Sequence, residues 1–163
     1  MSEPMKVLKI IGDIDIAADL PKDAIIQTVK LDDYMVTEYP ERFDMILCVH
    51  VLQTLWAHQV SAVIAKMVSE VKHLGELHIQ VPATELAAKS LLKNVTDPLA
   101  FYLIWGTTSR PFHCGFTLLW LRAQMEQTGV ITRYANSRVI ELLFDGEKRR
   151  IPEHAVIATV IRD

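Results

Sequence analysis

The feature that most constrains this fold is a strand, a helix and a second strand in succession between residues 43 and 82. Residues 43–49 form a short, almost entirely apolar run, which is typical of a strand buried on both faces. Residues 77–81 form a second strand, and Pro82 ends it because proline has no amide for the ladder. Between them lies one helical stripe, made of Val60, Val63, Ile64, Met67, Val68 and Val71. This order predicts a right-handed parallel unit and therefore an α/β fold.

Gly75 is the expected end of that helix. Lys72 and His73 precede it, and basic side chains are favoured in the last turn of a helix. Glycine also tolerates the left-handed conformation in which many helices end. The sequence therefore predicts a helix that continues to Gly75 before the second strand begins.

Capping and turn signals define the remaining elements. Thr84 is the expected N-cap of a helix that runs to about Lys93. Thr117 is the expected N-cap of a helix over 118–128, with Gly129 as its stop. The closing segment predicts an antiparallel strand pair, with strands at 138–144 and 155–161 around an Asp145-Gly146 turn.

The amino-terminal part is short for an α/β fold. Residues 6–11 form a first strand that ends at Gly12, and residues 24–31 form a second strand-like run. Only eleven residues, 13–23, lie between Gly12 and that run, and Pro21 is one of them. A full crossover helix does not fit there comfortably, since a complete crossover usually needs a dozen or more residues.

Composition narrows the possible classes of protein. The 163 residues fit one domain spanning 1–163, and a net charge of −3 gives no reason to expect nucleic-acid binding. Two cysteines make no disulfide framework, so we expect a cytoplasmic protein. The uncharged stretch 45–65 is long enough to cross a bilayer, but polar residues interrupt it, so we expect no membrane span.

Five segments in order resemble the later part of class I S-adenosylmethionine-dependent methyltransferases. They are FDMI at 43–46, HVL at 50–52, VKHLGEL at 71–77, VP at 81–82 and FHCGFT at 112–117, followed by Leu121, Met125 and Gly129. The family shows a similar strand that begins with Phe-Asp, a helix that ends near glycine, and a Gly-Phe-Thr segment before its last helix. The resemblance covers roughly residues 43 to 135 of the chain.

The resemblance implies a three-layer Rossmann-like sandwich, shortened in its amino-terminal half. Its sheet would be mostly parallel, with an antiparallel pair of strands at the carboxyl terminus. It also implies S-adenosylmethionine as cofactor, in a cleft lined by Gly12, Asp13, Asp32 and His50. The family's glycine-rich turn, where backbone amides approach the cofactor, is reduced here to Gly12 alone. Asp32 either holds the ribose hydroxyls, matches the acid after the family's third strand, or simply caps a turn.

Two histidines are the candidate catalytic residues, His50 and His113. His50 follows the strand 43–49, and ligands of open α/β sheets bind outside such carboxyl ends. It therefore either acts as a base near the methyl group or is a structural histidine that bonds a neighbouring loop. His113 has the same two interpretations. No pair of histidines has the spacing of a helical metal site, so we expect no metal.

Two functions remain open from the sequence. One is methyl transfer to a small-molecule or sugar-like acceptor. The other is a catalytically inactive relative whose fold serves homo-oligomerisation or binds a protein partner. The uncharged, aromatic-rich run 99–105 bears on this choice and has three interpretations. It either covers a substrate, belongs to the core or faces a partner chain. Exposure of Phe101 and Trp105 in the monomer would indicate a partner surface.

Overall fold

Six strands form one sheet in the part of the chain that the structure describes. The structure is a computed structural model that describes residues 3–12, 20–108, 111–144 and 146–162. The strands are β1 (Lys6–Ile11), β2 (Ile25–Lys30), β3 (Phe43–Val49), β4 (Val71–Pro82), β5 (Ile131–Phe144) and β6 (Glu147–Thr159). They lie in the order β2-β1-β3-β4-β6-β5. The first four run parallel, and β6 is antiparallel to both β4 and β5, as predicted.

Helices lie on both faces of this sheet. They are α1 (Leu31–Val36), α2 (Ala57–Glu70), α3 (Thr84–Lys93), α4 (Pro98–Trp105) and α5 (Leu118–Glu126). Strand alternation sends Ile46 and Cys48 to one face, where they join a buried cluster with residues of α2 and α5. Leu47 and Val49 face the other way and pack with Ala87 of α3 and Leu103 of α4. The predicted three-layer α/β sandwich is therefore confirmed.

The prediction that the helix between the strands 43–49 and 77–81 continues to Gly75 is wrong. Helix α2 ends at Glu70, and Val71 already has an extended backbone that pairs with Phe43. Leu74, rather than Gly75, adopts the left-handed conformation, with φ 62°. Gly75 serves a close approach instead, because a Cβ atom there would lie 2.7 Å from the Asp44 carbonyl oxygen.

The prediction for Thr84 is also wrong in detail. Thr84 is the first residue of α3, and Ala83 occupies the N-cap position. The Thr84 hydroxyl is instead a tertiary contact, since it accepts a hydrogen bond of 3.2 Å from the amide of Phe116. The other cap is confirmed, because the Thr117 hydroxyl accepts a bond of 3.2 Å from the amide of Trp120 at the start of α5.

The closing hairpin is confirmed and is longer than predicted. Gly146 takes φ 80° at its turn, a conformation that favours glycine. Asp145 lies outside the described residues. The strands 131–144 and 147–159 pair along their whole length. None of the helices in the described residues combines the length and apolar character needed to cross a bilayer.

Candidate active site

The candidate site lies where the parallel strands end, which we call the carboxyl edge of the sheet. Gly12 follows β1 and His50 follows β3, the strand beside it. A Cβ atom placed on Gly12 would point at the carbonyl oxygen of His50, 3.4 Å away. Gly12 does not have a positive φ, so its backbone conformation does not demand glycine. A Cβ atom at this position would make only an ordinary contact with that oxygen, so this contact does not demand glycine either.

His50 is held in an uncommon backbone conformation. Its φ of 49° is left-handed, which is rare for residues other than glycine and costs on the order of 1 kcal/mol. Its amide donates a bond of 2.8 Å to the Gln80 carbonyl oxygen. Its own carbonyl oxygen accepts a bond of 2.6 Å from Gln53 Nε2. Bonds on both sides of the residue therefore fix a strained conformation, a feature found often at functional sites.

The imidazole of His50 is paired with a buried carboxylate. Its Nε2 lies 2.9 Å from Glu153 Oε2, although the two residues are 103 positions apart in the sequence. Glu153 of β6 is wholly buried, and its Oε1 accepts a bond of 2.5 Å from Arg138 Nε on β5. A buried carboxylate needs such partners, because an unpaired charge is costly away from water. The hairpin thus carries both side chains that fix the ring of His50.

This pairing determines which nitrogen of His50 is basic. An ionised carboxylate only accepts hydrogen bonds, so Nε2 carries the proton and donates a hydrogen bond to Glu153. In neutral imidazole the lone pair available to accept a proton is then on Nδ1. The carboxylate also stabilises the imidazolium that forms when Nδ1 is protonated. Chemically, the arrangement can act as a general base whose ring orientation is fixed in advance.

His113 belongs to a neighbouring loop that the structure ties to the His50 segment. The amide of His113 donates a bond of 2.8 Å to the carbonyl oxygen of Gln53, whose side chain bonds His50. The ring of His113 stacks on Trp56, with ring centroids 4.0 Å apart and planes 17° from parallel. His113 therefore lies in a loop bonded to the His50 segment, with one face of its ring on Trp56.

Cys114, which follows His113, is a poor nucleophile in this setting. It is partly buried, and burial raises the pKa of its thiol to about 11. The thiol is therefore protonated at neutral pH, and the thiol form is not the reactive one.

Asp32 lies at the same edge, one strand further along. Strand β2 pairs directly with β1, with Lys30 opposite Ile11, so Asp32 follows the strand next to that of Gly12. Its side chain is exposed in the first turn of α1, where a carboxylate also suits the helix dipole. Asp13, the remaining predicted site residue, lies outside the described residues.

Sequence reasoning missed the partners of His50. Glu153 stands just before an apolar strand, between Pro152 and His154, where it reads as a polar flank. Only the pairing of β4 with β6, which sets Glu153 opposite Pro82, brings it to the end of β3. No local signal in the sequence distinguishes Glu153, because its partner His50 lies 103 residues away.

Comparison with known proteins identifies the fold. No protein-family model and no curated protein sequence matches this chain. A SAM-dependent methyltransferase from Methanosarcina mazei superposes with a TM-score of 0.62 at 16% identity, covering 100% of this chain and 95% of that one. This chain has the class I methyltransferase fold. A proposed methyltransferase from Bacillus halodurans gives 0.59 at 12% identity, covering 98% and 94% of the two chains. TehB from Haemophilus influenzae gives 0.55 at 14% identity, covering 96% of this chain and 57% of its own.

The residues at the carboxyl edge fit the cofactor expected of a methyltransferase fold at two points. Gly12, at the end of β1, has no side chain that would oppose the close approach of a cofactor to its backbone. Asp32 follows the strand beside β1, the place at which the resemblance puts an acid for the ribose hydroxyls. These two positions come from adjacent strands, so the short amino-terminal half retains both.

Proposed function

We propose that this protein is an S-adenosylmethionine-dependent methyltransferase that acts on an oxygen atom of a small-molecule acceptor. The observation that supports this most is the pairing of His50 with the buried Glu153, at the end of the strand next to that of Gly12. A left-handed histidine bonded to a buried carboxylate is an expensive arrangement for a purely structural role. Its position at the carboxyl edge is where ligands of open α/β sheets bind.

Gly12 and Asp32 are the proposed cofactor-binding residues, with Asp13 expected there from the resemblance. Gly12 would allow the backbone to approach the cofactor closely, and the Asp32 carboxylate would accept hydrogen bonds from the ribose hydroxyls. When bound, the cofactor supplies a methyl group on a sulfonium sulfur, and its carbon–sulfur bond breaks as the new carbon–oxygen bond forms. The protein has to align the acceptor oxygen and remove its proton.

His50 is the proposed general base. Its Nδ1 accepts the proton of the acceptor hydroxyl while Nε2 keeps its bond to Glu153. Glu153 and Arg138 hold the ring in place and stabilise the charge that it gains, so they are positioning residues. General-base catalysis of this kind typically contributes about 10²- to 10⁴-fold. His113 stands close to the acceptor in this proposal but takes no proton.

Calorimetric titration with S-adenosylmethionine and with S-adenosylhomocysteine tests the cofactor site. We expect micromolar binding, which corresponds to about −8 kcal/mol. Gly12→Val should abolish it, because branched methyl groups would fill the space beside the His50 carbonyl oxygen. Gly12→Ala is the matched control, since a single Cβ makes an ordinary contact there at 3.4 Å, and binding should weaken only modestly.

Two results would contradict this cofactor site. The first is no heat and no thermal shift with either ligand at millimolar concentration. The second is unchanged affinity in Gly12→Val, once its melting temperature shows that the variant folds. His50→Ala should lose turnover once an acceptor is known.

One observation favours the second function, partner binding by an inactive fold. Phe101 and Trp105 of α4 are 46% and 53% exposed, with ring centroids 5.0 Å apart, and α4 has no charged residue. Exposed apolar side chains that lie together are a common mark of protein interfaces. Sedimentation of the wild type beside Phe101→Ser tests whether two copies meet there. A monomer at all concentrations in both proteins would argue against self-association through α4.

A further inference from the structure

Trp56 and His113 together form a flat aromatic surface at the carboxyl edge. Their rings stack at 4.0 Å and 17°, and Trp56 is 54% exposed. We call this pair the Trp56–His113 shelf. Trp56 directly precedes α2, and His113 lies in the loop before α5. A stacked pair that keeps open ring surface is suited to receive a further planar group.

Hydrogen bonds hold the shelf at a fixed place relative to His50. Gln53 is central, because its backbone carbonyl oxygen accepts the His113 amide and its side chain bonds the His50 carbonyl oxygen. On the other side of the loop, the Phe112 amide donates a bond of 2.9 Å to the Trp105 carbonyl oxygen. The loop that carries His113 is therefore bonded through Gln53 to the segment of the proposed base, and a ligand that stacks on the shelf would lie next to that segment.

The chemistry of the base favours one class of acceptor. A phenol such as the tyrosine side chain loses its proton near pH 10, whereas saturated alcohols hold theirs far more strongly. An imidazole base, with an ordinary pKa of about 6.5, assists the first kind of hydroxyl much more effectively. A flat aromatic ring that carries a hydroxyl matches both the shelf and the base, and a sugar matches the shelf less well because its ring is not planar.

We infer that the acceptor is a planar aromatic molecule with a phenol-like hydroxyl, and that it stacks on the Trp56–His113 shelf. This inference rests on the proposed function and goes beyond it by naming the class of acceptor. Trp56 and His113 are then substrate-binding residues, and His113 contributes its ring face without exchanging a proton.

Binding of two probes of the same outline tests the inference without turnover. 2-Naphthol is planar and aromatic, and decahydro-2-naphthol has the same two rings and hydroxyl but is saturated. Titrations followed by NMR, with and without S-adenosylhomocysteine, give the dissociation constant of each probe. We expect 2-naphthol to bind at least about tenfold more tightly than its saturated counterpart and more tightly than glucose, because stacking discriminates between them.

Matched tryptophan variants locate that binding. Trp56→Ala should weaken 2-naphthol about tenfold, and Trp56→Phe, which retains a ring, should weaken it only about twofold. The bond from the Trp56 amide to Gln59 Oε1 involves the backbone, so both variants keep this contact at the start of α2. Trp105→Ala is the control, because Trp105 is 53% exposed on α4 and should leave the affinity unchanged.

The outcomes separate this inference from the proposed function. Equal affinity for the two probes, no effect of Trp56→Ala, or a loss in Trp105→Ala would each overturn the shelf as the acceptor site. Failure of S-adenosylhomocysteine to bind, while 2-naphthol still binds in a Trp56-dependent manner, would overturn the proposed function and leave the aromatic site standing.

Discussion

The two ends of the parallel strands carry ionic networks of different character. At the amino edge, where these strands begin, Asp44 accepts a bond of 2.7 Å from the Lys6 amide and one of 2.8 Å from Lys72 Nζ. The side chains of Asp44 and Lys72 are 30% and 42% exposed. At the carboxyl edge, Glu153 is wholly buried and bonds His50 and Arg138. One network is open to water, and the other excludes water from its carboxylate.

This difference indicates what each network does. Partly exposed ion pairs contribute little to stability, because water and salt screen them and two long side chains must be ordered. A buried carboxylate has a large desolvation cost, which its partners offset without a large net gain. The amino edge can therefore be explained by stability alone. The carboxyl edge holds a costly arrangement around a titratable ring, which indicates a functional requirement.

Removing each carboxylate in turn is the strongest test of this difference between the two edges. Glu153→Ala should lower the free energy of unfolding by about 3 kcal/mol, because it leaves Arg138 and His50 without their buried partner. Asp44→Ala should cost about 1 kcal/mol, since water can replace its partly exposed bonds. Urea unfolding of the two variants beside the wild type measures both losses.

Glu153→Gln is the control for charge and shape at the buried position. Its amide keeps the size of the side chain and one acceptor oxygen, so the free energy of unfolding of Glu153→Gln should fall between those of the wild type and Glu153→Ala. Equal losses for Glu153→Ala and Asp44→Ala would mean that water reaches Glu153. The contrast between the two edges would then be wrong.

A smaller effect should appear in the pH dependence of Asp44. Burial opposes ionisation of Asp44, but the bonds from Lys72 and from the Lys6 amide outweigh it and hold the pKa below its ordinary value of 3.8. A lowered folded-state pKa gives stability that is present above the unfolded pKa and lost as the pH falls through the folded one. Asp44→Asn should thus be less stable than the wild type by about 1 kcal/mol or less at pH 6.

The same comparison below the folded pKa provides the check. Once Asp44 is protonated, it resembles asparagine in charge, so the difference in stability between the two proteins should shrink as the pH falls below 3.8. Urea midpoints at pH 6 and pH 3 measure this convergence. A constant difference at both values would show that Asp44 acts through packing or backbone geometry instead of its charge.

The amino edge also shows where sequence reasoning fails for this fold. Residues 71–76 carry a helix-ending pattern, with two basic residues before Gly75, yet the chain is already a strand at Val71. The pairing of Val71 with Phe43 outweighs that local signal. The start of α5 was predictable, because the Thr117 hydroxyl and the Trp120 amide that it caps lie within one turn, although the helix ends at Glu126, before the predicted 128.

The site was predictable only in part, for a related reason. The position of His50 follows from a local rule, since a residue after a buried parallel strand lies at the carboxyl edge. Its partner Glu153 is 103 residues away and depends on the register of β6 against β4. A shift of one residue in that register would turn Glu153 to the opposite face, and the sequence alone does not fix the register.

The smallest effect that we predict concerns the access of water and reagents to the Cys114 thiol at the carboxyl edge. Cys114 lies in the loop beside His113, and burial raises its thiol pKa to about 11. Cys48 is fully buried in β3, and burial raises its pKa further. In the native protein at pH 8, only about one Cys114 thiol in a thousand is therefore ionised, far fewer than for a free cysteine. Iodoacetamide labelling of Cys114 should thus be slow at pH 8 and rise steeply towards pH 11, while Cys48 stays unlabelled until the protein unfolds.

Mass spectrometry of the labelled peptides distinguishes the two thiols, and urea-unfolded protein supplies the reference rate for each. A rate for Cys114 that levels off near pH 9 would mean that its loop leaves the thiol open to water. The stacking of His113 on Trp56 would then be a transient contact, and the acceptor would have no fixed aromatic surface beside His50. A rate that follows the raised pKa supports a closed loop, in which the Cys114 thiol is shielded from water. A closed loop is what we expect if the carboxyl edge, unlike the amino edge, excludes water.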